Sequence, residues 1–193
     1  MPIGSTDALI VVDVQVDFCP GGSLSVPGGN EIVSVVNQLV KLFEKRGGLV
    51  VFSRDWHPKN HVSFKDQGGP WPVHCVQNTK GAEFHPELYI PDSAIIVSKA
   101  TEASKEAYSA FDDTELAETL KEAGVKRIFL CGLATDVCVK STAIDAVKLG
   151  YEVYVVEDAS RGITKEGVRK KLRRNEKSRH KYHRKLSNQT SLS

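Results

Sequence analysis

No run of this chain is long and apolar enough to span a bilayer, and no N-terminal segment joins a basic flank to an apolar stretch and a small-residue cleavage site. These absences argue against a helical membrane protein or a secreted one. They set the expectation of a cytoplasmic protein, with nuclear access open. Cysteine is scarce. Cys19, Cys75, Cys131 and Cys138 are far apart and form no C-x-x-C pair, so neither a disulfide framework nor a cysteine-rich structural zinc site is expected. The glycines of the PGG segments do not form a dinucleotide fingerprint.

The chain that remains is ordinary in bulk and uneven in charge. Its 193 residues suit one domain, with 40% hydrophobic and 26% charged residues. The net charge of +2 conceals an asymmetry: residues 164–193 hold 11 Lys/Arg against 2 Asp/Glu, which leaves residues 1–163 at −7. The expected organisation is a globular domain over 1–163, followed by a short helix from about Thr164 and a basic, mobile tail.

Apolar runs and their punctuation predict the fold. ALIVVDV (8–14), LVVFSRD (49–55), AIIVSKA (94–100), VKRIFLCG (125–132) and YEVYVVED (151–158) read as buried strands. Helical spacing follows Asn30 and Thr135, which serve as expected N-caps, and a further helix starts at Thr114; Gly47, Gly150 and Gly124 close these helices. Alternating strands and helices predict an α/β, doubly wound parallel sheet. No sixth strand is readable after Gly162. Residues 56–92, rich in Pro, Gly, His and Trp, read as a long functional loop. Ligands of such sheets bind beyond the C-terminal strand ends. Asp13, Asp55, Lys99, the Cys138 turn and Asp158 all fall there.

Cys138 sits three residues into a predicted helix, where unpaired N–H groups and the helix dipole favour an anion. A thiol there ionises more readily, and the same N–H groups suit an oxyanion. Alone, such a cysteine is better read as a small packed residue, the reading kept for Cys19, Cys75 and Cys131. Asp13 and Lys99 shift the balance. A carboxylate to move the proton, an ammonium to hold negative charge and a thiol to attack suit nucleophilic acyl transfer, although Asp13 as a loop cap and Lys99 as its ion-pair partner is the plainer alternative. RDWHPKNH supplies Asp55, His57 and His61, and GGPWPVHC adds His74. This grouping predicts an open site for one divalent transition metal ion, with zinc, iron and manganese as candidates. Phe18, Trp71 and Tyr108 lie beside these groups, where they either pack loops or flank a flat ring.

VVDVQVDFCPGGSL, RDWHPKNHVSF, GGPWPVHCVQNTKGAEFHP, VSKATEASKEAYSAF and CGLATDVCVKSTAIDA, in this order, resemble the nicotinamidase (pyrazinamidase) family of isochorismatase-like cysteine hydrolases, over about residues 7–163. The resemblance implies Cys138 as nucleophile, Asp13 as proton carrier and Lys99 as third member of a triad. It implies Asp55, His57 and His74 as metal ligands for zinc above iron or manganese, with His61 a ligand in some members only. It further implies Phe18 and Trp71 around a pyridine ring, Tyr108 lining the pocket, and the N–H groups of Ala134 and Cys138 as an oxyanion hole after a cis Leu133–Ala134 bond. The implied reaction converts nicotinamide to nicotinate and ammonia in NAD salvage, with NAD a pathway product rather than a cofactor. The implied partner is a small amide, with a homo-oligomer open. Members follow their last helix with a further strand, and this chain has RRNEKSRHKYHRKLSNQTSLS there. Two alternatives are a sibling hydrolase of another small amide or ureido compound, and a non-catalytic protein whose basic tail makes weak, salt-sensitive contact with nucleic acid or acidic lipid.

Overall fold

Alternation of apolar side chains on two faces, rather than on one, organises the molecule. A computed structural model describes residues 2–163 and 181–183. β1 (Asp7–Val12), β2 (Leu49–Asp55), β3 (Ile95–Lys99), β4 (Arg127–Leu133), β5 (Glu152–Arg161) and β6 (Lys181–His183) form one sheet in the order β3-β2-β1-β4-β5-β6. Every pairing is parallel. Along β1, Leu9 and Val11 join one hydrophobic cluster, and Ala8, Ile10 and Val12 join the other. This period of two on a strand buried on both faces is what the unbroken apolar run specifies.

Helices supply the two covers. α1 (Val33–Lys45) buries Val36, Leu39, Val40 and Phe43 at helical spacing against the Leu9/Val11 face. α2 (Leu116–Glu122) and α3 (Lys140–Lys148) cover the opposite face with Leu116, Leu120, Ala143 and Ala146. The architecture is therefore the doubly wound α/β sheet that the strand and helix alternation predicts. The chain runs outward from β1 to β3, then crosses to β4 on the far side of β1. That reversal leaves a crevice outside the C-terminal ends of β1 and β4. Gly132 closes the approach: its φ is +116°, and a Cβ there would lie 2.1 Å from the Val12 carbonyl oxygen. The Leu133–Ala134 peptide that follows is cis.

Several expectations are corrected. Asn30 lies inside a 3₁₀ turn, Gly29–Ile32, and α1 begins after it at Val33 without a side-chain cap. Thr135 is not the N-cap before Cys138. Ala134 holds that place, and Thr135–Val139 is a π-helical turn leading into α3. β5 runs on to Arg161 because an irregularity between Leu130 and Gly132 shifts its register. Asp158 is consequently exposed at mid-strand and does not join the reactive edge. A sixth strand is present: the backbone of Lys181–His183 pairs with Tyr154–Val156 of β5. Three residues of ladder pairing leave no apolar pattern for a sequence reading to detect. The helix expected from about Thr164 and the rest of the basic tail lie outside the described residues. Among the described residues, no helix is long and apolar enough to cross a membrane.

Candidate active site

Four strand ends converge on one buried charge network. β1 ends into Asp13, which takes φ +50°, a left-handed conformation that turns the chain out of the sheet immediately after the strand. β2 ends on Asp55 and β3 on Lys99, which are direct partners in the ladder. β4 leads through Ala134 into the turn that carries Cys138. Lys99 is 1% exposed and Asp13 is fully buried. The Lys99 ammonium lies 2.9 Å from Oδ2 of Asp13, donates to Oδ1 of Asp55, and reaches Sγ of Cys138 at 3.6 Å. Three anionic or potentially anionic groups thus share one cation.

The protonation states follow from burial set against charge. Burial drives the Asp13 carboxyl above its ordinary range; Lys99 opposes this and Asp55 reinforces it. Burial pushes Asp55 the same way, but Lys99 and His57 outweigh it and hold that carboxyl below the usual carboxylate range. Burial alone would lower Lys99, yet Asp13, Asp55 and Cys138 together raise it well above normal, so the ammonium stays charged. The Cys138 thiol is pushed up by burial, with Lys99 pulling against the shift and Asp13 adding to it. This corrects the expectation of a readily ionised thiol. Cys138 is buried, and the removal of its solvation outweighs the pull of the Lys99 ammonium. A thiol of this kind needs a base at the moment of attack. Asp13 offers one: Oδ1 accepts from Ser53 Oγ at 2.8 Å, while among the described residues Oδ2 has no aligned hydrogen-bond donor.

Beside this set, one ligand atom each from Asp55, His57 and His74 lies within 4.8 Å of the others. The remaining ring nitrogens are anchored: Nδ1 of His57 on the Ala100 carbonyl at 2.9 Å, and Nδ1 of His74 on the Pro72 carbonyl at 2.7 Å. Both Nε2 atoms therefore face Oδ2 of Asp55, at 3.5 and 3.8 Å, and offer metal-ligating lone pairs once the imidazoles are neutral. Two imidazoles and a carboxylate, each oriented from behind, fit a divalent transition metal. His61 differs. Its Nδ1 pairs with Ser63 Oγ at 2.7 Å and its Nε2 with the Lys105 carbonyl at 2.7 Å, so both nitrogens are engaged and its ring stacks on His57.

Asp55 joins the two halves, with Oδ1 toward Lys99 and Oδ2 toward the imidazoles. A cavity of about 110 Å³ opens onto both, with Asp55, His74 and Cys138 in its lining. Phe18, Trp71, Tyr108 and Ala134 complete the expected set around it, and Trp71 Nε1 donates to the Tyr108 hydroxyl at 3.1 Å. An apolar slot with an aromatic wall, a thiol and a carboxylate suits a small planar carbonyl compound. Cys19, Cys75 and Cys131 are buried and free, as the packing reading expects. Sequence reasoning missed three polar residues that hold the site: Ser53 on Asp13; Asp17, which accepts from the Cys75 N–H at 2.8 Å next to His74; and Gln15. These partners lie 40 to 67 residues away. The signal they offered was a polar side chain inside an apolar motif.

The chain is similar to known proteins in sequence and in fold. A family model described as the isochorismatase domain matches residues 7–180. A nicotinamidase of Escherichia coli (strain K12) is 41% identical over 177 residues, covering 81% of this chain and 83% of its own. The crystal structure of the pyrazinamidase of Pyrococcus horikoshii in complex with zinc superposes with a TM-score of 0.90 at 51% identity, over 92% of this chain and 98% of that one. PnC1 from L. infantum in complex with nicotinate superposes with a TM-score of 0.89 at 36% identity, over 95% of each chain.

Proposed function

This chain belongs to the isochorismatase-domain family, and on that premise we propose that it is a metal-dependent amidohydrolase converting nicotinamide to nicotinate and ammonia, in the service of NAD salvage. The observation that carries the reading is the single ammonium of Lys99 shared by Asp13, Asp55 and Cys138, directly beside the Asp55/His57/His74 set. Similarity to a nicotinamidase, to a zinc-bound pyrazinamidase and to a nicotinate-bound relative supports the substrate class. Four free thiols accord with a reducing, cytoplasmic setting.

Asp13 accepts the proton of Cys138 as sulfur attacks the carboxamide carbon, so the thiolate exists only as the new C–S bond forms. Lys99 keeps the pair of carboxylates and the sulfur in one electrostatic frame. The N–H groups of Ala134 and Cys138 take up the negative charge on the carbonyl oxygen. The C–N bond then breaks, and Asp13 returns its proton to the departing amine, which leaves as ammonia. Water attacks the resulting thioester and gives a proton to Asp13. The C–S bond breaks, the sulfur regains its proton from Asp13, and the carboxylic acid so formed loses its remaining proton to solvent or the released ammonia and departs as nicotinate. Phe18 and Trp71 flank the pyridine ring, and Tyr108 holds Trp71. Asp55, His57 and His74 would hold a divalent ion, zinc in the first instance, which would supply a Lewis acid for the pyridine nitrogen. All these residues precede residue 139, so the hydrolase domain is read as 1–163.

Ammonia release from nicotinamide, pyrazinamide and a panel of aliphatic and ureido amides tests the reading, with metal content measured on the same sample. The expected result is one equivalent of metal and a kcat/KM for nicotinamide at least about 100-fold above the aliphatic amides. Preference for an aliphatic amide or ureido compound would transfer the protein to the sibling hydrolases.

A further inference from the structure

β1 stops pairing with β2 two residues short of Asp55. The ladder runs to Val12↔Ser53, and the Asp13 N–H adds one bond to the Ser53 carbonyl at 3.1 Å. Asp13 then turns away at φ +50°. The N–H and carbonyl of Asp55 on that side would be left without backbone partners, although β2 must still present this residue to Lys99 and the two imidazoles. A buried peptide in that state costs free energy and is free to rotate.

We infer that Gln15 is a positioning residue that completes the sheet with its side chain and thereby fixes the metal-binding carboxylate of Asp55. Gln15 is fully buried. Its Oε1 accepts from the Asp55 N–H at 2.9 Å, and its Nε2 donates to the Asp55 carbonyl at 2.8 Å and to the Ala82 carbonyl at 2.9 Å. A primary amide carries one carbonyl and two N–H groups in one plane. It therefore reproduces what an adjacent strand would offer to both peptide groups of Asp55, and has one donor left for the loop at Ala82. Lys99 pairs with Asp55 from the opposite side through β3. The backbone of Asp55 is thus clamped between β3 and a side-chain amide. Its two carboxylate oxygens are aimed separately, one at Lys99 and one at the imidazoles. No charged residue could replace Gln15 here: a carboxylate would face the Asp55 and Ala82 carbonyls, and an ammonium would face the Asp55 N–H.

The inference rests on the metal reading above, and its test separates the two. Gln15→Met keeps side-chain length and removes the amide; Gln15→Glu keeps the shape and replaces the donor. Val36→Ala, in α1 and remote from the site, serves as a stability control. Zinc dissociation constants are measured on the chelator-treated proteins by competition with a chromophoric chelator, alongside thermal transitions of the metal-free forms. Both Gln15 variants are expected to bind zinc about 10–100-fold more weakly than wild type. Val36→Ala is expected to melt earlier with its zinc affinity unchanged. Gln15→Met and Gln15→Glu affinities within twofold of wild type would overturn the inference, as would an equal loss in Val36→Ala. If neither Gln15 variant folds without metal, Gln15 serves stability alone and the inference is equally lost. Wild-type protein that binds no zinc would overturn the metal reading itself, visibly so before any variant is compared.

Discussion

Both ends of the sheet join a carboxylate at the tip of β1 to a cation from another strand, and they do so in opposite ways. At the N-terminal end, Asp7 pairs in register with Arg127 of β4. The guanidinium grips both carboxylate oxygens, Nε to Oδ1 at 2.6 Å and Nη2 to Oδ2 at 2.7 Å, and the Gly4 N–H adds a bond to Oδ2 at 2.8 Å. The fork matches the carboxylate, and nothing is left to react. At the C-terminal end, Asp13 faces a lysine. An ammonium is a compact point charge without a fork, and here it is divided among Asp13, Asp55 and Cys138. Among the described residues, one oxygen of Asp13 is left without an aligned donor. A saturated pair is a lock, whereas a shared cation beside an unsatisfied carboxylate is a centre able to move a proton.

The largest expected effect strikes the open end. Cys138→Ala should lower kcat for ammonia release by at least about 10⁴-fold while a nicotinamide titration still shows binding, and Asp13→Asn should do the same. Substantial turnover in Cys138→Ala would refute the covalent mechanism. Next in size, metal-free protein should show a KM raised at least about tenfold, with a smaller fall in kcat. Identical kinetics in protein verified to be free of metal would remove the ion from the site. The closed end should behave differently. Asp7→Asn is expected to cost about 2 kcal/mol in urea unfolding, with kcat within twofold of wild type. A folded Asp7→Asn protein with turnover as poor as Asp13→Asn would break the contrast between the two ends.

That contrast was half visible in the letters. Strands betray themselves by continuous apolar runs, and Asp13, Asp55 and Lys99 stand out because a carboxylate or ammonium terminates such a run. The convergence of strand ends then follows from parallel topology. Cys138 was legible as a position but not as a state, since burial, which a sequence does not display, reverses the ionisation that the helix start favours. His61 has the spacing of a ligand, and only its bonds to Ser63 and Lys105 take it out of the set. Gln15 and Ser53 act through partners 40 residues away. Asp158 was misplaced because the register shift beside β4 lengthens β5 beyond the end its apolar run suggests.

The smallest effect lies where the open end meets its ligand. Trp71 comes from the long loop after β2 and Tyr108 from the segment after β3. Their one direct polar link is Nε1 to the hydroxyl at 3.1 Å, on the lining of the cavity. Tyr108→Phe removes that oxygen and keeps the ring, so packing is nearly preserved. A neutral hydrogen bond of this kind is worth about 0.5–1.5 kcal/mol. Its loss frees Trp71 to leave the ring-flanking orientation, and that cost falls on substrate binding before any bond changes. KM for nicotinamide should therefore rise about 2–10-fold, with kcat within twofold of wild type. A fall in kcat at constant KM would instead place the Tyr108 hydroxyl among the groups that act on the transition state, and the division between a reactive edge and a passive aromatic wall would have to be redrawn.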